Sequence, residues 1–249
     1  MSTLKVWNRY VILYISMVFF FFATVTIQAG EKSMLQEKIK HALIAEGFSN
    51  ITVKVEDKNI VRLQGQVKFL SDKYRVYDIA AKFPKVKDVV TEVVVKSENR
   101  TDEAIKNDIE GIYKTLYRIK DPKEIQVKVT NGVVQLDGKV EYHRIKIMAQ
   151  TAASWVYGVK GIVNDIQVET PEGNISDLKD AKLGSINELV SELLFNWYPE
   201  ENNVKYEVED NDSVWLTGTV SSLWIKRALG KDVAKILGVT EVRNDLKVE

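Results

Sequence analysis

The sequence predicts an α+β protein in which one αββαβ unit occurs three times in tandem. The first observation is a heptapeptide pattern, V-x-L-x-G-x-V, that appears in three places. The second is a valine block that follows each heptapeptide glycine after 21 residues (65 to 86, 138 to 159, 218 to 239). Because the interval is constant, the pattern indicates one repeated structural unit. The heptapeptides are Val61–Val67, Val134–Val140 and Val214–Val220.

Each unit opens with a segment that has the apolar spacing of an amphipathic helix. In the first copy Leu35, Ile39, Ala42 and Leu43 fall on one stripe. Equivalent stripes precede the other two heptapeptides, so one helix per unit is expected to bury a face against a sheet. The expected helices are Met34–Glu46, Asp102–Ile119 and Ser176–Trp197.

Two strands joined by a tight turn follow this helix. Ile51, Val53 and Val55 alternate with polar residues, which is typical of a strand with one buried face. The heptapeptide then returns as the antiparallel partner. The turn residues between the two strands tolerate left-handed backbone geometry. They are Asp57-Lys58-Asn59, Thr130-Asn131-Gly132 and Asp210-Asn211-Asp212.

The heptapeptide glycines, Gly65, Gly138 and Gly218, keep the period of the buried strand face. A glycine inside a strand usually marks a bulge or the close approach of another backbone. We expect the packed helix to make this approach, which gives the glycines a structural role.

A second helix and a closing strand complete each unit. Apolar residues recur in the helix at i, i+4 and i+7, as in Val76, Ala80 and Phe83. The order α-β-β-α-β predicts a three-stranded mixed sheet with both helices packed on one face. The expected domains are residues 31–98, 101–170 and 176–249.

The first thirty residues have the layout of an export signal. Lys5 and Arg9 precede an apolar run from Tyr10 to Ile27, and Ala29 offers a small residue for cleavage. The run is also about long enough to span a bilayer. Residues 1–30 are therefore either a signal peptide or an N-terminal membrane anchor. Both alternatives predict the periplasm of a Gram-negative-type bacterium, as a free protein or anchored in the inner membrane.

The repeated pattern resembles the BON domain. The closing blocks Val159–Val168 and Val239–Val248 read V-x-x-[VI]-x-[ND]-x-[LIV]-x-V, whereas the first copy has Thr91 and Glu92 in place of Asn-Asp. The likeness covers nearly all of residues 33–249. It implies the αββαβ fold, a periplasmic location and binding to phospholipid membranes. The family's osmotically induced periplasmic member has two such domains, and other members serve inside larger assemblies. The family has no shared catalytic residues to carry over.

No catalytic or metal-binding pattern appears in the sequence. There are no cysteines, and neither His41 nor His143 recurs in the other copies, whereas histidine metal sites need several ligands. A net charge of zero argues against generic nucleic-acid binding. The sequence therefore predicts a protein that is not an enzyme, with no cofactor, no metal and no nucleic-acid partner.

Charge is unevenly distributed over the copies. Residues 31–97 hold 13 basic and 9 acidic side chains, residues 101–170 hold 10 of each, and residues 177–249 hold 9 and 14. The second helix of the first copy could meet anionic lipid, form an ordinary solvated face, or dock on the acidic third copy of a neighbour. Near a membrane each basic group contributes about 1 kcal/mol. The candidates are Lys73, Arg75, Lys82 and Lys85.

Apolar residues replace charge at two positions of the second copy. Met148 and Trp155 align with Arg75 and Lys82 of the first copy, so they either pack between copies or contact a membrane or partner. Aromatic rings also recur at the strand-to-helix corner, where they suit a membrane interface or the cap of a domain core. These rings are Phe69, Tyr142 and Trp224.

The predicted function is binding to anionic phospholipid surfaces, with a role in envelope or osmotic stress protection. The alternative is a protein-interaction scaffold within a periplasmic or membrane complex.

Overall fold

The computed structural model describes residues 30–98, 100–116, 125–168 and 185–249. In these ranges every copy has a first helix, an antiparallel strand pair, a second helix and a closing strand, which confirms the predicted α+β class and αββαβ order. The predicted signal or anchor lies outside the described residues, apart from Gly30. Within the described ranges, no helix has the length and apolarity needed to cross a membrane.

Helices and strands follow the same order in each copy. The first copy contains α1 (residues 30–45), β1 (Thr52–Val55), β2 (Ile60–Val67), α2 (Leu70–Ala81) and β3 (Asp88–Val95). The second contains α3 (Asp102–Thr115), β4 (Ile125–Thr130), β5 (Val133–Val140), α4 (His143–Ser154), β6 (Gly161–Asn164) and β7 (Gln167–Val168). The third contains α5 (Ile186–Trp197), β8 (Val204–Val208), β9 (Val214–Val220), α6 (Leu223–Val233), β10 (Val242–Asn244) and β11 (Lys247–Val248).

All three first helices differ from their expected bounds. The helix α1 spans residues 30–45, so it begins before the expected Met34 and ends one residue before Glu46. The helix α3 ends at Thr115 because Leu116 turns to extended backbone, with ψ at 101°, ahead of the expected end at Ile119. The helix α5 begins at Ile186 because Ser185 caps it, accepting a bond from the Glu188 backbone NH while the Glu188 carboxylate accepts one from the Ser185 NH. Residues 169–184, which include the expected start of this helix, lie outside the described ranges.

The heptapeptide strand is the centre of a mixed sheet in every copy. It pairs antiparallel with the strand before it and parallel with the closing strand, so β2 lies between β1 and β3. The turn between the antiparallel strands uses left-handed backbone, with φ of 58° at Lys58, 53° at Asn131 and 61° at Asp212. In the second and third copies the closing strand is split into two short strands, both parallel to the central one.

The split coincides with the asparagine that the first copy lacks. The Oδ1 of Asn164 accepts a hydrogen bond from the Ile166 NH (3.3 Å), and its Nδ2 donates to the Lys146 carbonyl in α4 (3.1 Å). Asn244 makes the equivalent pair of bonds in the third copy. Thr91 has no amide to donate, and β3 runs without a break. The asparagine therefore ties the closing strand to the second helix.

The heptapeptide glycines have positive φ, 145° at Gly65, 136° at Gly138 and 104° at Gly218. A Cβ on Gly65 would lie 2.6 Å from the backbone oxygen of Asn50, and one on Gly218 would be closer still to that of Asn203. The expectation that the packed helix makes the close approach is wrong for these two copies. The space is taken by the carbonyl that precedes the antiparallel strand, because the positive φ turns the missing side chain toward it.

The copies do not have equally separate cores. Buried residues of the first and second copies form one continuous apolar cluster, whereas those of the third form their own. Leu63, Leu136 and Leu216, at equivalent positions of the central strands, are fully buried. Leu223 and Trp224 of the third copy pack against the cluster of the other two. The side chains at the start of α6 therefore join the third copy to the shared core.

Candidate binding site between the three copies

The second helices, α2, α4 and α6, meet head to tail. Phe69, at the start of α2, packs edge-on against Tyr157, just after α4, with ring centroids 6.2 Å apart at 79°. His143, at the start of α4, places Nδ1 2.9 Å from the carbonyl oxygen of Thr240, beyond α6. In both contacts the start of one helix meets the segment that follows the helix of the next copy.

The third contact returns to the first copy. Trp224, at the start of α6, lies under the Lys82 ammonium at the end of α2, with Nζ 5.6 Å from the ring. Beside it, Arg227 pairs with Asp78 at 3.2 Å and stacks 4.2 Å above the Tyr77 ring. Each copy thus presents a different surface to each neighbour. Contacts of this heterologous kind form a ring when the rotation closes, and here it closes after three copies.

A cavity of about 590 Å³ lies where the three second helices converge. Tyr74, Ile147 and Arg227, which line it, occupy the same helix position in the three copies. The volume is in the range of small-molecule sites, about 300–1,000 Å³. Since the wall is assembled from all three copies, no single copy contains this site.

The charged groups in the cavity wall are basic, and none of the lining residues is a carboxylate. Two of the basic groups are paired with carboxylates behind the wall: Arg75 with Glu46 at 3.0 Å, and Arg227 with Asp78. Lys231 forms no ion pair with any residue in the described ranges. Its ammonium is therefore a charge that the wall leaves uncompensated.

The neutral polar side chains of the cavity wall differ in how many hydrogen bonds they form. Burial raises the pKa of Tyr74, while a hydrogen bond with Gln150 and the charge of Arg227 act in the opposite direction. Ser154, also in the wall, donates to the Thr151 carbonyl at 2.6 Å. Ser71 is 8% exposed as a residue, and its hydroxyl, which has no hydrogen-bond partner among the described residues, is reached by solvent.

The four basic residues predicted for the first copy lie on or just after α2. They are Lys73, Arg75, Lys82 and Lys85. Three of them are engaged within the chain: Arg75 with Glu46, Lys85 with Glu31 at 3.5 Å, and Lys82 with Trp224. The helix therefore presents less uncompensated charge than its sequence indicates.

Met148 and Trp155 have different environments although they share a helical stripe. Met148 is half-buried and packs against the core shared by the first two copies. Trp155, at the end of α4, is 64% exposed. It borders the central cavity on one side and, on the other, a groove of about 460 Å³ beside Gly111 and Ile112 of α3.

Each corner aromatic contacts another side chain of the protein, and two of them do so between copies. Phe69 meets Tyr157, and Trp224 meets Lys82 and the shared core. Tyr142 lies under the Arg144 guanidinium, 4.6 Å from the ring centroid. Their proposed contact with a membrane or partner stays a prediction.

Two aromatic side chains that the sequence analysis does not single out are the most exposed of the large apolar residues described. Phe195 is 81% exposed and Trp197 76%, both at the end of α5. The sequence could have identified them, because they lie off the apolar stripe of this helix. The stripe that packs on the core contains Val190, Leu193 and Leu194. The described residues contain no group of three or more histidine, aspartate or glutamate side chains placed to hold a metal ion.

The family model for the BON domain matches three regions, residues 31–97, 101–170 and 187–249. The chain belongs to the BON domain family. Domains of this family occur in periplasmic and envelope proteins, and the family is non-catalytic. In the second and third BON units the asparagine of the closing block ties strand to helix, as Asn164 and Asn244 do.

The chain is also similar to solved structures of CdsD, a structural protein of the type III secretion system of Chlamydia trachomatis. One of them, its C-terminal domain, is 16% identical, with 84% of this chain and 93% of that chain covered and a TM-score of 0.22. Another is 17% identical, with 84% and 88% covered and a TM-score of 0.21. No curated protein matches the chain.

Proposed function

We propose that this chain is a non-enzymatic, exported envelope protein that binds anionic phospholipid surfaces, in envelope or osmotic stress protection. The observation that supports it best is the exposure of Phe195 and Trp197, joined by that of Trp155. Tryptophan and phenylalanine favour the membrane–water interface, where one part of the side chain is apolar and the surroundings are wet. Family membership adds support, because BON domains are associated with phospholipid-binding and envelope proteins.

The basic side chains contribute less to the affinity for an anionic membrane than the sequence indicates. Arg75 and Lys85 are paired within the chain, so their attraction to an anionic surface is partly compensated. An uncompensated basic group near such a surface contributes about 1 kcal/mol. We therefore expect anionic lipid to strengthen binding, while insertion of aromatic rings supplies most of the affinity.

Vesicle co-sedimentation tests the proposal. Replacing Phe195 and Trp197 together by serine is expected to weaken partitioning into phosphatidylcholine vesicles with 30% phosphatidylglycerol by about tenfold or more, since each ring buries apolar area in the interface. Val94→Ser is the matched control, because Val94 is also an exposed apolar residue, at 60%, in the first copy. Failure of the wild-type chain to sediment with either charged or neutral vesicles would contradict the proposal.

A second candidate is a protein-interaction scaffold. The groove of about 460 Å³ between α3 and the turn after α4, with the exposed Trp155 at its border, favours it. Pull-down from envelope extract, compared between the wild type and Trp155→Ala, separates the two functions. Loss of a protein partner with unchanged vesicle binding supports the scaffold.

Export is part of the proposal and is tested by mass. A cleaved signal peptide removes the segment up to about Ala29 from the exported protein, whereas an anchor leaves it attached. Intact mass spectrometry of the envelope fraction separates the two forms. Recovery of the full-length chain only from the cytoplasm would overturn the assignment.

A further inference from the structure

We propose that the cavity at the centre of the ring binds a small molecule that carries a phosphate group on an apolar body. This site lies inside the ring, whereas the membrane proposal depends mainly on Phe195 and Trp197 at the end of α5 and is tested there; of the exposed rings it uses, Trp155 alone also borders the cavity. The two proposals can therefore fail independently.

Each copy contributes one polar group that can bond a ligand at the cavity wall. They are the Ser71 hydroxyl from the first copy, the His143 imidazole from the second and the Lys231 ammonium from the third. Ser71 is nine-tenths buried, and within the described ranges its hydroxyl has no partner. Its oxygen is reached by solvent and the residue lines the cavity, so the hydroxyl is available to bond a ligand there.

The contact of His143 with the third copy determines which ring nitrogen is left for a ligand. A carbonyl oxygen only accepts hydrogen bonds, so the bond to Thr240 fixes the proton on Nδ1. This leaves Nε2 to bond a ligand, as an acceptor when the ring is neutral and as a donor when it is protonated. Ring closure therefore orients the imidazole that it brings to the cavity.

The sign of the charge selects an anion. The wall has no carboxylate of its own, and Lys231 is uncompensated. The same helix position is Asp78 in the first copy and Thr151 in the second, so the third copy places a cation where a sibling has an acid. A ligand cation would be repelled there, whereas an anion gains a charge-assisted hydrogen bond.

The number of donors favours phosphate over a carboxylate. A phosphate ester presents several acceptor oxygens, so groups from more than one copy can bond it together. The rest of the wall suits an apolar body, because Ile147, Ala234 and Val242 line it beside the Trp155 ring. A soluble phosphate ester and the headgroup of a lipid share this chemistry.

Calorimetric titration of the exported chain with phenyl phosphate tests the site, with inorganic phosphate as the probe without an apolar body. Phenyl phosphate is expected to bind the more tightly of the two, and Lys231→Ala to weaken it by about tenfold. Lys205→Ala is the matched control, since Lys205 is an exposed lysine of the same copy outside the wall. Fluorescence of Trp155 provides a second readout, compared with Trp155→Phe.

Competition separates the two sources of phosphate. Displacement of phenyl phosphate by monomeric dihexanoyl phosphatidic acid supports a lipid headgroup as ligand, and displacement by glycerol 3-phosphate alone supports a soluble ester. Absence of phenyl phosphate binding at millimolar concentration, or equal binding by Lys231→Ala and the wild type, overturns the proposal. Loss of vesicle binding with phenyl phosphate binding intact refutes the membrane function alone.

Discussion

At the residue scale, the strongest constraints come from positions where a side chain is missing. Gly65 combines a φ of 145° with a backbone oxygen 2.6 Å from where its Cβ would be. That oxygen belongs to Asn50, just before β1. A backbone atom there cannot move aside as the tip of a flexible side chain does. The repeated glycine therefore fixes how closely the two antiparallel strands approach, independently of any ligand.

Gly65→Ala is expected to destabilise the protein by about 2–4 kcal/mol, because backbone strain and the clash with Asn50 add. Gly111→Ala is the matched control. Gly111 lies in α3, and nothing is within 4 Å of a Cβ built there. Its replacement is expected to stabilise by about 0.5–1 kcal/mol through helix propensity. Urea denaturation measures both changes, and equal effects of the two would refute the steric explanation.

At the element scale, the side chain that links the closing strand to the second helix accounts for a difference between copies. Asn164 bonds both the Ile166 NH and the Lys146 carbonyl, and the strand is split there. Within the described ranges, the Thr91 side chain of the first copy bonds the Val93 NH alone, at 3.4 Å. One amide thus joins the closing strand to the second helix, a bond that Thr91 does not make in the first copy.

Asn164→Ala is expected to lower the free energy of unfolding by about 1–3 kcal/mol, since a half-buried strand NH and a helix carbonyl lose their partner. Thr91→Ala removes one weak bond and is expected to cost about 0.5 kcal/mol. The comparison is made by thermal and urea unfolding of the two variants. A larger effect at Thr91 would contradict the role assigned to the amide.

Most elements are predictable from the sequence because the three copies repeat them. Alternation, helical spacing and the constant interval from glycine to valine are set by burial, which acts alike in every copy. The ring is not predictable in this way, because its three contacts use different chemistry at corresponding places. Phe69 meets a tyrosine, His143 a carbonyl and Trp224 a lysine. Phe69 and Trp224 recur as corner aromatics, but the partners of the three contacts share no residue pattern, so the contacts themselves leave no repeat signal.

At the scale of the whole molecule, the ring determines where a site can form. The first two copies share a core, and the third has its own, so the third is joined mainly through α6. From this helix Trp224 reaches Lys82 and Arg227 reaches Asp78 of the first copy, while Leu223 packs on the shared core. Opening this joint would separate Lys231 from Ser71 and remove the cavity without unfolding any copy.

Trp224→Ala is expected to open the ring. The half-buried indole packs on the core shared by the first two copies, so its loss weakens the contact between the third copy and that core by about 2–3 kcal/mol. The third copy's own core does not include Trp224 and is expected to keep its stability. Unfolding is expected to change from one transition to two. Before the first transition, the variant is expected to have a larger radius of gyration than the wild type, measured by small-angle scattering. Trp215→Ala is the matched control, because Trp215 lies in β9 of the same copy, stacked 4.6 Å under Arg243 and bonded to Asp245. A single transition at wild-type dimensions in Trp224→Ala would show that the third copy is held by other contacts, and that the ring does not depend on this joint.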